Sequence, residues 1–235
     1  MPGMIEHLYY SQLIYHSLSA RPTTKLLKNG DIQLQTEYKQ KMNRERFMLA
    51  EILPDMANSV FESHARIHTH KADGLYIPNL EYVDNKMRCR ADWSVRMGIY
   101  AHLYLDWKFV LDFLIPKFDW DISNGKITNK ASGVSFGPRK FFSEDGLYQA
   151  YSETTKILVE SGKLKLEPVR NLPAALPGTG LKLFDDIVAE SWKERFEWYI
   201  ANAREQNEQM FSVEEYIAFI ENQAVNATAQ ILHKE

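Results

Sequence analysis

The segment from Ala91 to Leu114 reads ADWSVRMGIYAHLYLDWKFVLDFL and contains no proline. Its aromatic and aliphatic residues recur at helical spacings and cover most of the helix circumference. A helix that is apolar on nearly every side must be buried on most sides, so the segment predicts the central helix of the fold. We expect this helix to end before Pro116, because proline cannot continue the hydrogen-bond pattern of a helix.

The sequence on both sides of this segment also favours helices, and we predict a mostly α, multi-helix fold. Periodicity, capping residues and proline positions place further helices near 4–18, 37–52, 55–66, 80–86, 143–161, 181–208 and 212–234. Loops are predicted at 22–36, 70–78 and 163–180. Strand is expected only in a small hairpin or irregular insertion near residues 120–136, where Asn124-Gly125 is a turn signal between β-compatible residues.

The chain has 235 residues, which is a length typical of one domain. We therefore interpret residues 1–235 as a single helical domain. Within it, residues 1–118 carry the candidate site described below and residues 119–142 form the loop or hairpin. Residues 143–235 supply C-terminal helices that complete the core.

The composition excludes several kinds of partner and site. The formal charge is −3, so the chain lacks the basic field of a nucleic-acid-binding protein. The single cysteine, Cys89, excludes an intramolecular disulfide and a cysteine-rich zinc site. The longest uncharged run, between Glu6 and Arg21, is too short and too polar to cross a bilayer. With no signal peptide evident, we expect a cytoplasmic protein without a membrane span.

The central segment carries the first candidate for chemistry. His102 and Asp106 are four residues apart, so they project from the same face of a helix. An imidazole and a carboxylate at this spacing can share one metal ion or bind one ion each. A carboxylate on a buried helix is costly unless it is paired or bound to metal. The alternative is structural, with Asp106 paired to an arginine and His102 a hydrogen-bonded core histidine.

A second group of histidines lies at residues 62–70, in the segment ESHARIHTH: His64, His68 and His70. Such a group can supply metal ligands, and it can equally be a polar surface loop. His7 and Asp55 have similarly ordinary interpretations. His7 lies on an amphipathic helix, where a histidine is commonly a satisfied polar residue, and Asp55 follows a proline as a helix cap would.

Three segments carry a family resemblance when they are taken in order. They are MPGMIEHL at 1–8, FMLAEILPD at 47–55 followed by Thr69-His70, and GIYAHLYLD at 98–106. Together they resemble the zinc-dependent phospholipase C-like family of helical metal-dependent hydrolases. That family has an early histidine, an apolar stretch ending in Pro-Asp, and a Gly-Tyr-x-x-His-Leu-x-x-Asp helix. The resemblance covers the first half of the chain.

The resemblance implies a metal site built from histidines and aspartates on helices. Its ligands would be His7, Asp55, His70, His102 and Asp106. His68 competes with His70 for its place among the ligands, and His64 is a more distant competitor. The chain lacks the later His-x-x-x-Glu pair of the phospholipases, so we expect one or two ions rather than three. Ligands of this type suit zinc, the metal of the family, and also Mn, Fe or Ni.

The function implied is metal-dependent hydrolysis of a small-molecule phosphate ester by metal-activated water. Asp55 would be a ligand and also the catalytic carboxylate that orients the attacking water. Tyr148 and Tyr151 are candidates to close the site from the second half of the chain. Candidate substrate-binding or supporting groups are Arg66, Arg96 and Lys108. The alternative is a catalytically silent relative, a helical module that works by contact with other proteins.

Overall fold

A computed structural model describes residues 2–20, 23–26, 32–35, 42–56, 70–72, 75–88, 91–143, 146–173, 176, 190–205 and 210–234. Over these residues the protein is mostly helical, and the predicted fold class is confirmed. The helices are α1 Met4–Ala20, α2 Arg44–Ile52, α3 Leu80–Met87, α4 Trp93–Lys108, α5 Pro138–Phe141, α6 Leu147–Glu160, α7 Leu166–Arg170, α8 Glu190–Ala201 and α9 Val213–Leu232. Among the described helices, none is long and apolar enough to cross a membrane.

The central helix α4 begins at a well-formed cap and is longer than predicted. Asp92 caps it, because its side chain accepts hydrogen bonds from the N–H groups of Ser94 and Val95. The helix then widens into a π-helical segment, Phe109–Leu114, and finishes with one more turn, Ile115–Lys117. The wider turn lets the N–H of Ile115 donate to the carbonyl five residues back. The chain thus stays helical past the expected end point, with Pro116 inside the last turn.

The strand prediction was right at one place and incomplete at two others. The predicted small β element is a three-stranded antiparallel sheet of β5 Phe118–Asp121, β6 Lys126–Asn129 and β7 Ser135–Phe136. Two segments predicted to be loops instead contain antiparallel pairs, β1 Thr23–Leu26 with β2 Ile32–Gln35 and β3 His70–Ala72 with β4 Leu75–Ile77. Each pair flanks an Asn-Gly or Asp-Gly sequence, which favours a hairpin.

Several other helix boundaries in the structure differ from the predicted ones. The helix predicted at 55–66 is described only at its start, where Leu53–Met56 forms a 3₁₀ turn, and residues 57–66 lie outside the described part. The predicted connection at 163–180 contains the short helix α7. The helix predicted at 181–208 contains α8, which ends at Ala201, and residues 181–189 and 206–208 lie outside the described part. The last helix occurs as predicted, and Ser212 caps α9 by accepting from the N–H of Glu215.

Three helices approach one another closely enough to share a buried site. Helices α1, α2 and α4 pack against each other, and α1 also contacts α6 and α9. The closest approach is at Gly98 of α4, where a built Cβ would lie only 2.8 Å from the Cβ of Ala50 on α2. Glycine is therefore required at this position for the two helices to pack. The buried apolar residues of the described chain form one cluster around these helices.

Candidate metal centre

Side chains from α1, α2 and α4 meet in the middle of the core. His7 comes from α1, Glu51 from α2, and His102 and Asp106 from α4; all four are fully buried. Asp55 reaches the same place from the 3₁₀ turn that follows α2, and its side chain is 18% exposed. A group of ionisable side chains in an apolar core is costly unless their charges are compensated, so their arrangement needs a physical explanation.

The distances show which groups interact. His7 Nδ1 lies 3.0 Å from Glu51 Oε1, and His7 Nε2 lies 3.4 Å from Asp106 Oδ1. His102 Nε2 lies 3.3 Å from Asp106 Oδ2 and 3.8 Å from Asp55 Oδ1. The two carboxyl groups of Asp55 and Asp106 therefore converge on one imidazole nitrogen. This convergence of oxygens and nitrogens is typical of a cation site.

The two imidazole rings are stacked on each other. The ring centroids of His7 and His102 are 3.8 Å apart and the planes are inclined by 16°. Two imidazolium cations at this distance would repel each other. The stacking therefore favours at least one neutral ring, and neutral imidazole is the form that binds metal ions.

His7, Glu51 and His102 can hold a metal ion. One ligand atom from each of them lies within 4.8 Å of the other two. If His7 donates its Nδ1 proton to Glu51 Oε1, its Nε2 is left as a ligand nitrogen, an arrangement that commonly orients metal-binding histidines. Neither Glu51 Oε2 nor the nitrogens of His102 has a hydrogen-bond partner among the described residues.

A further buried carboxyl group, Glu6, lies beside this cluster. Its side chain is 1% exposed, and burial raises its pKa to about 7. Burial also raises the pKa of Glu51. Burial lowers the pKa of His7, but its hydrogen bonds with Asp106 and Glu51 outweigh this effect and raise the pKa to about 10. The raised pKa values mean that Glu6, Glu51 and His7 all tend to keep their protons, as expected where negative charge is in excess.

The charge count makes the excess explicit. We call His7, Glu51, Asp55, His102 and Asp106, with Glu6, the His/acid cluster. Its two imidazoles are neutral when they bind metal, and its four carboxyl groups carry −4 when all of them are ionised. One divalent cation compensates part of this charge, and a proton on Glu6, whose pKa is raised to about 7, compensates more. The donor set and the charge of the described residues thus both fit a divalent metal ion.

A cavity of about 630 Å³ opens next to the cluster. Its wall contains Gly3 and the start of α1, including Glu6, with residues of α6, of α8 and of the segment 202–204 that follows α8. Its prominent lining side chains are Tyr148, Tyr151, Trp198, Tyr199 and Arg204. Tyr148 and Tyr151, which the sequence singled out to close the site from the second half of the chain, are therefore beside the cluster. A volume of this size is typical of small-molecule sites.

The structure brings together four of the five predicted ligands: His7, Asp55, His102 and Asp106. His70 lies in β3, and its side chain is outside the described part of the chain, as are His64 and His68. Two of the predicted supporting residues have other partners, because Arg96 donates to Asp84 and Lys108 to Asp112. Arg66 is also outside the described residues.

Sequence reasoning missed Glu51 and Glu6. The signal for Glu51 was available, since it is the one charged residue in the apolar run FMLAEIL at 47–53, the same reasoning that singled out Asp106. Glu6 precedes the predicted ligand His7, and nothing in its sequence context separates it from an ordinary helix-surface glutamate. Its burial depends on the packing of α1 against other helices of the core, including α6 and α9.

Comparison with protein-family models, with curated proteins and with solved structures found no significant match to the chain. The resemblance to zinc-dependent phospholipase C-like hydrolases therefore remains a prediction from three short segments. The site is defined by its own geometry.

Proposed function

We propose that this protein is a metal-dependent hydrolase that acts on a phosphate ester, with zinc as the first candidate metal. The observation that carries the proposal is the buried His/acid cluster, in which two imidazoles face four carboxyl groups beside a cavity. A protein core does not bury such an excess of acid without compensation. A divalent ion supplies the compensation and a reason for the cluster to lie next to a cavity.

A bound divalent ion would lower the pKa of a coordinated water and would neutralise charge on a phosphoryl oxygen. His7, Glu51 and His102 would hold such an ion, and Glu51 Oε1 would also keep His7 in the orientation that leaves Nε2 free. Asp55 is the most exposed carboxylate of the cluster. Its side chain is therefore the one best placed to accept a proton from water that enters from the surface.

A second candidate is the catalytically silent helical module. The hydrogen bond between His7 and Glu51 favours it, because this bond partly satisfies the cluster without an ion. The two candidates differ in metal content and in hydrolysis, so both can be measured on one preparation.

The test combines elemental analysis with an assay. The protein, purified without added metal, should contain about one or two divalent ions per chain and should hydrolyse para-nitrophenyl phosphate or bis(para-nitrophenyl) phosphate. His102→Ala should lower the metal content and the hydrolysis rate together. His16→Ala is the matched control, because His16 is an exposed histidine on α1. A wild-type protein without stoichiometric metal, whose melting temperature ignores a chelator and added zinc, would favour the silent module and overturn the proposal.

A further inference from the structure

The cavity beside the His/acid cluster has walls made of aromatic rings. Tyr148 on α6 and Trp198 on α8 both line it, and they are 52% and 58% exposed. Exposed apolar side chains that lie together at a groove, rather than singly, are typical of ligand-binding sites. Two of them on neighbouring helices give the cavity flat, apolar surfaces with polar edges.

Each exposed ring is held by a second ring. Tyr148 packs edge-to-face on Tyr151, with centroids 5.8 Å apart and planes at 86°. Trp198 packs in the same way on Tyr199, at 5.3 Å and 76°. An edge-to-face contact fixes the orientation of a ring and leaves a ring face uncovered. The cavity is therefore lined by aromatic rings that are packed in fixed orientations, and such rings can stack with a planar group.

The inner end of the cavity touches the cluster. Glu6 lines the cavity and is adjacent in sequence to His7. Burial, followed by the negative charge of Glu6, raises the pKa of the Tyr151 hydroxyl, and the charges of Asp106 and Asp55 act in the same direction. This hydroxyl is buried and has no hydrogen-bond partner among the residues that the structure describes. A ligand that filled the cavity would thus meet the cluster at its inner end.

The wall of the cavity also contains polar groups that could bind polar substituents of a ring. Asn202 uses its Nδ2 to bind the Trp198 carbonyl, which leaves its Oδ1 as an acceptor. Arg204 also lines the cavity, and its side chain forms no ion pair within the described part of the chain. Both residues are exposed, so these polar groups lie where the cavity meets solvent. A ring with polar substituents would satisfy them.

We propose that the cavity binds the organic group of the substrate, and that this group is a planar aromatic ring that stacks on Trp198 and Tyr148. The phosphate end of the ligand then faces the His/acid cluster. The placement of the phosphate rests on the proposed function, whereas the preference for a ring does not. The substrate class is therefore a phosphate ester of an aromatic or heteroaromatic group.

Two phosphonates that resist hydrolysis test the proposal directly. Phenylphosphonate and methylphosphonate share the same charged group and differ only in the ring. Calorimetric titration of the purified protein should give a Kd about tenfold lower for phenylphosphonate, the gain expected from one aromatic stacking contact. Trp198→Ala should abolish this difference, and Trp198→Phe, which keeps a ring, should retain most of it. Because Trp198 is mostly exposed, neither change removes a core side chain.

Tyr82→Ala is the matched control, since Tyr82 is a half-exposed aromatic residue on α3, outside the cavity. This variant should keep the tenfold preference. Equal affinity for both phosphonates, no binding of either, or an unchanged preference in Trp198→Ala would each overturn the ring site. A ring preference in a protein that has neither metal nor hydrolysis would support the cavity and refute the proposed function. Hydrolysis by a metal-containing protein without a ring preference would support the proposed function and refute the ring site.

Discussion

Helix α4 carries two groups of buried ionisable residues, and they are built in opposite ways. Near its start, Arg96 donates to Asp84 at 2.7 Å, and Lys234 donates to the other oxygen of Asp84 at 2.9 Å. We call these three residues the ion-pair network. Near its middle, His102 and Asp106 belong to the His/acid cluster.

The difference between the two lies in the balance of charge. In the ion-pair network, one carboxylate has two cations, and both of its oxygens are used. In the cluster, four carboxyl groups share two imidazoles. Burial alone therefore says little about function, because helix α4 contributes buried ionisable residues to both groups. The charges of the ion-pair network are compensated by its own residues, whereas the negative charge of the cluster is compensated only by bound protons or a cation.

The largest expected effect concerns Glu51, which belongs to the cluster but was not among the ligands that the resemblance implied. Glu51→Gln removes a charge and an anionic oxygen from the cluster and keeps the side-chain volume. We expect metal affinity to fall by at least about 100-fold, because substitution of residues that only support the ligands already lowers metal affinity by about 10–100-fold. Metal affinity is measured by competition with a coloured chelator. Glu45→Gln, an exposed change on the same helix, should have no effect. Unchanged affinity in Glu51→Gln would show that Glu51 is not part of the site.

A smaller effect is expected when the ion-pair network is broken. Arg96→Met removes one of the two cations of Asp84, which is 5% exposed. We expect the free energy of unfolding to fall by about 2 kcal/mol, less than for a buried charge left with no partner, because Lys234 stays in place. Metal content should not change. Urea unfolding and elemental analysis on the same sample check both statements, and a loss of metal would mean that the two groups are coupled.

The last effect is the response of stability to pH, which has opposite signs at the two groups. In chelated protein, the pKa of His7 is raised from an ordinary value of 6.5 to about 10. Protonated His7 therefore stabilises the fold fully below about pH 6.5, and this contribution is lost as the pH rises toward 10. Metal-loaded protein should instead gain stability over this range, because ligands bind metal in their deprotonated form.

The ion-pair network should respond only in acid. Burial raises the pKa of Asp84, but the hydrogen bonds from Arg96 and Lys234 outweigh it and hold this pKa below 3.8. Its contribution is present above that value and is lost as the pH falls through the lower, folded pKa. Thermal unfolding at about pH 7 and about pH 9, with chelator and with zinc, tests the cluster. Parallel slopes in the two conditions would contradict a metal site, and Arg96→Met should leave both slopes unchanged.

Much of the helical structure could be predicted from local patterns. The central helix was predicted because apolar residues cover most of its circumference, and the four-residue spacing of His102 and Asp106 placed them on one face. The two small hairpins were missed because Asn29-Gly30 and Asp73-Gly74 were interpreted as loop turns without strands on either side. Strand pairs as short as these have little periodicity for a sequence to display.

The sequence by itself determined the helical class, the central helix and the shared face of His102 and Asp106, because these depend on spacing within single segments. His7 and Asp55 were expected only from the family resemblance. Only the tertiary structure decided that Glu51 and Glu6 join the cluster, and that aromatic residues from α6 and α8 form a cavity against it. His7 and Glu51 are 44 residues apart and meet because three helices pack closely, with Gly98 allowing α2 to reach α4. Such contacts depend on the approach of separate elements, which local periodicity does not encode.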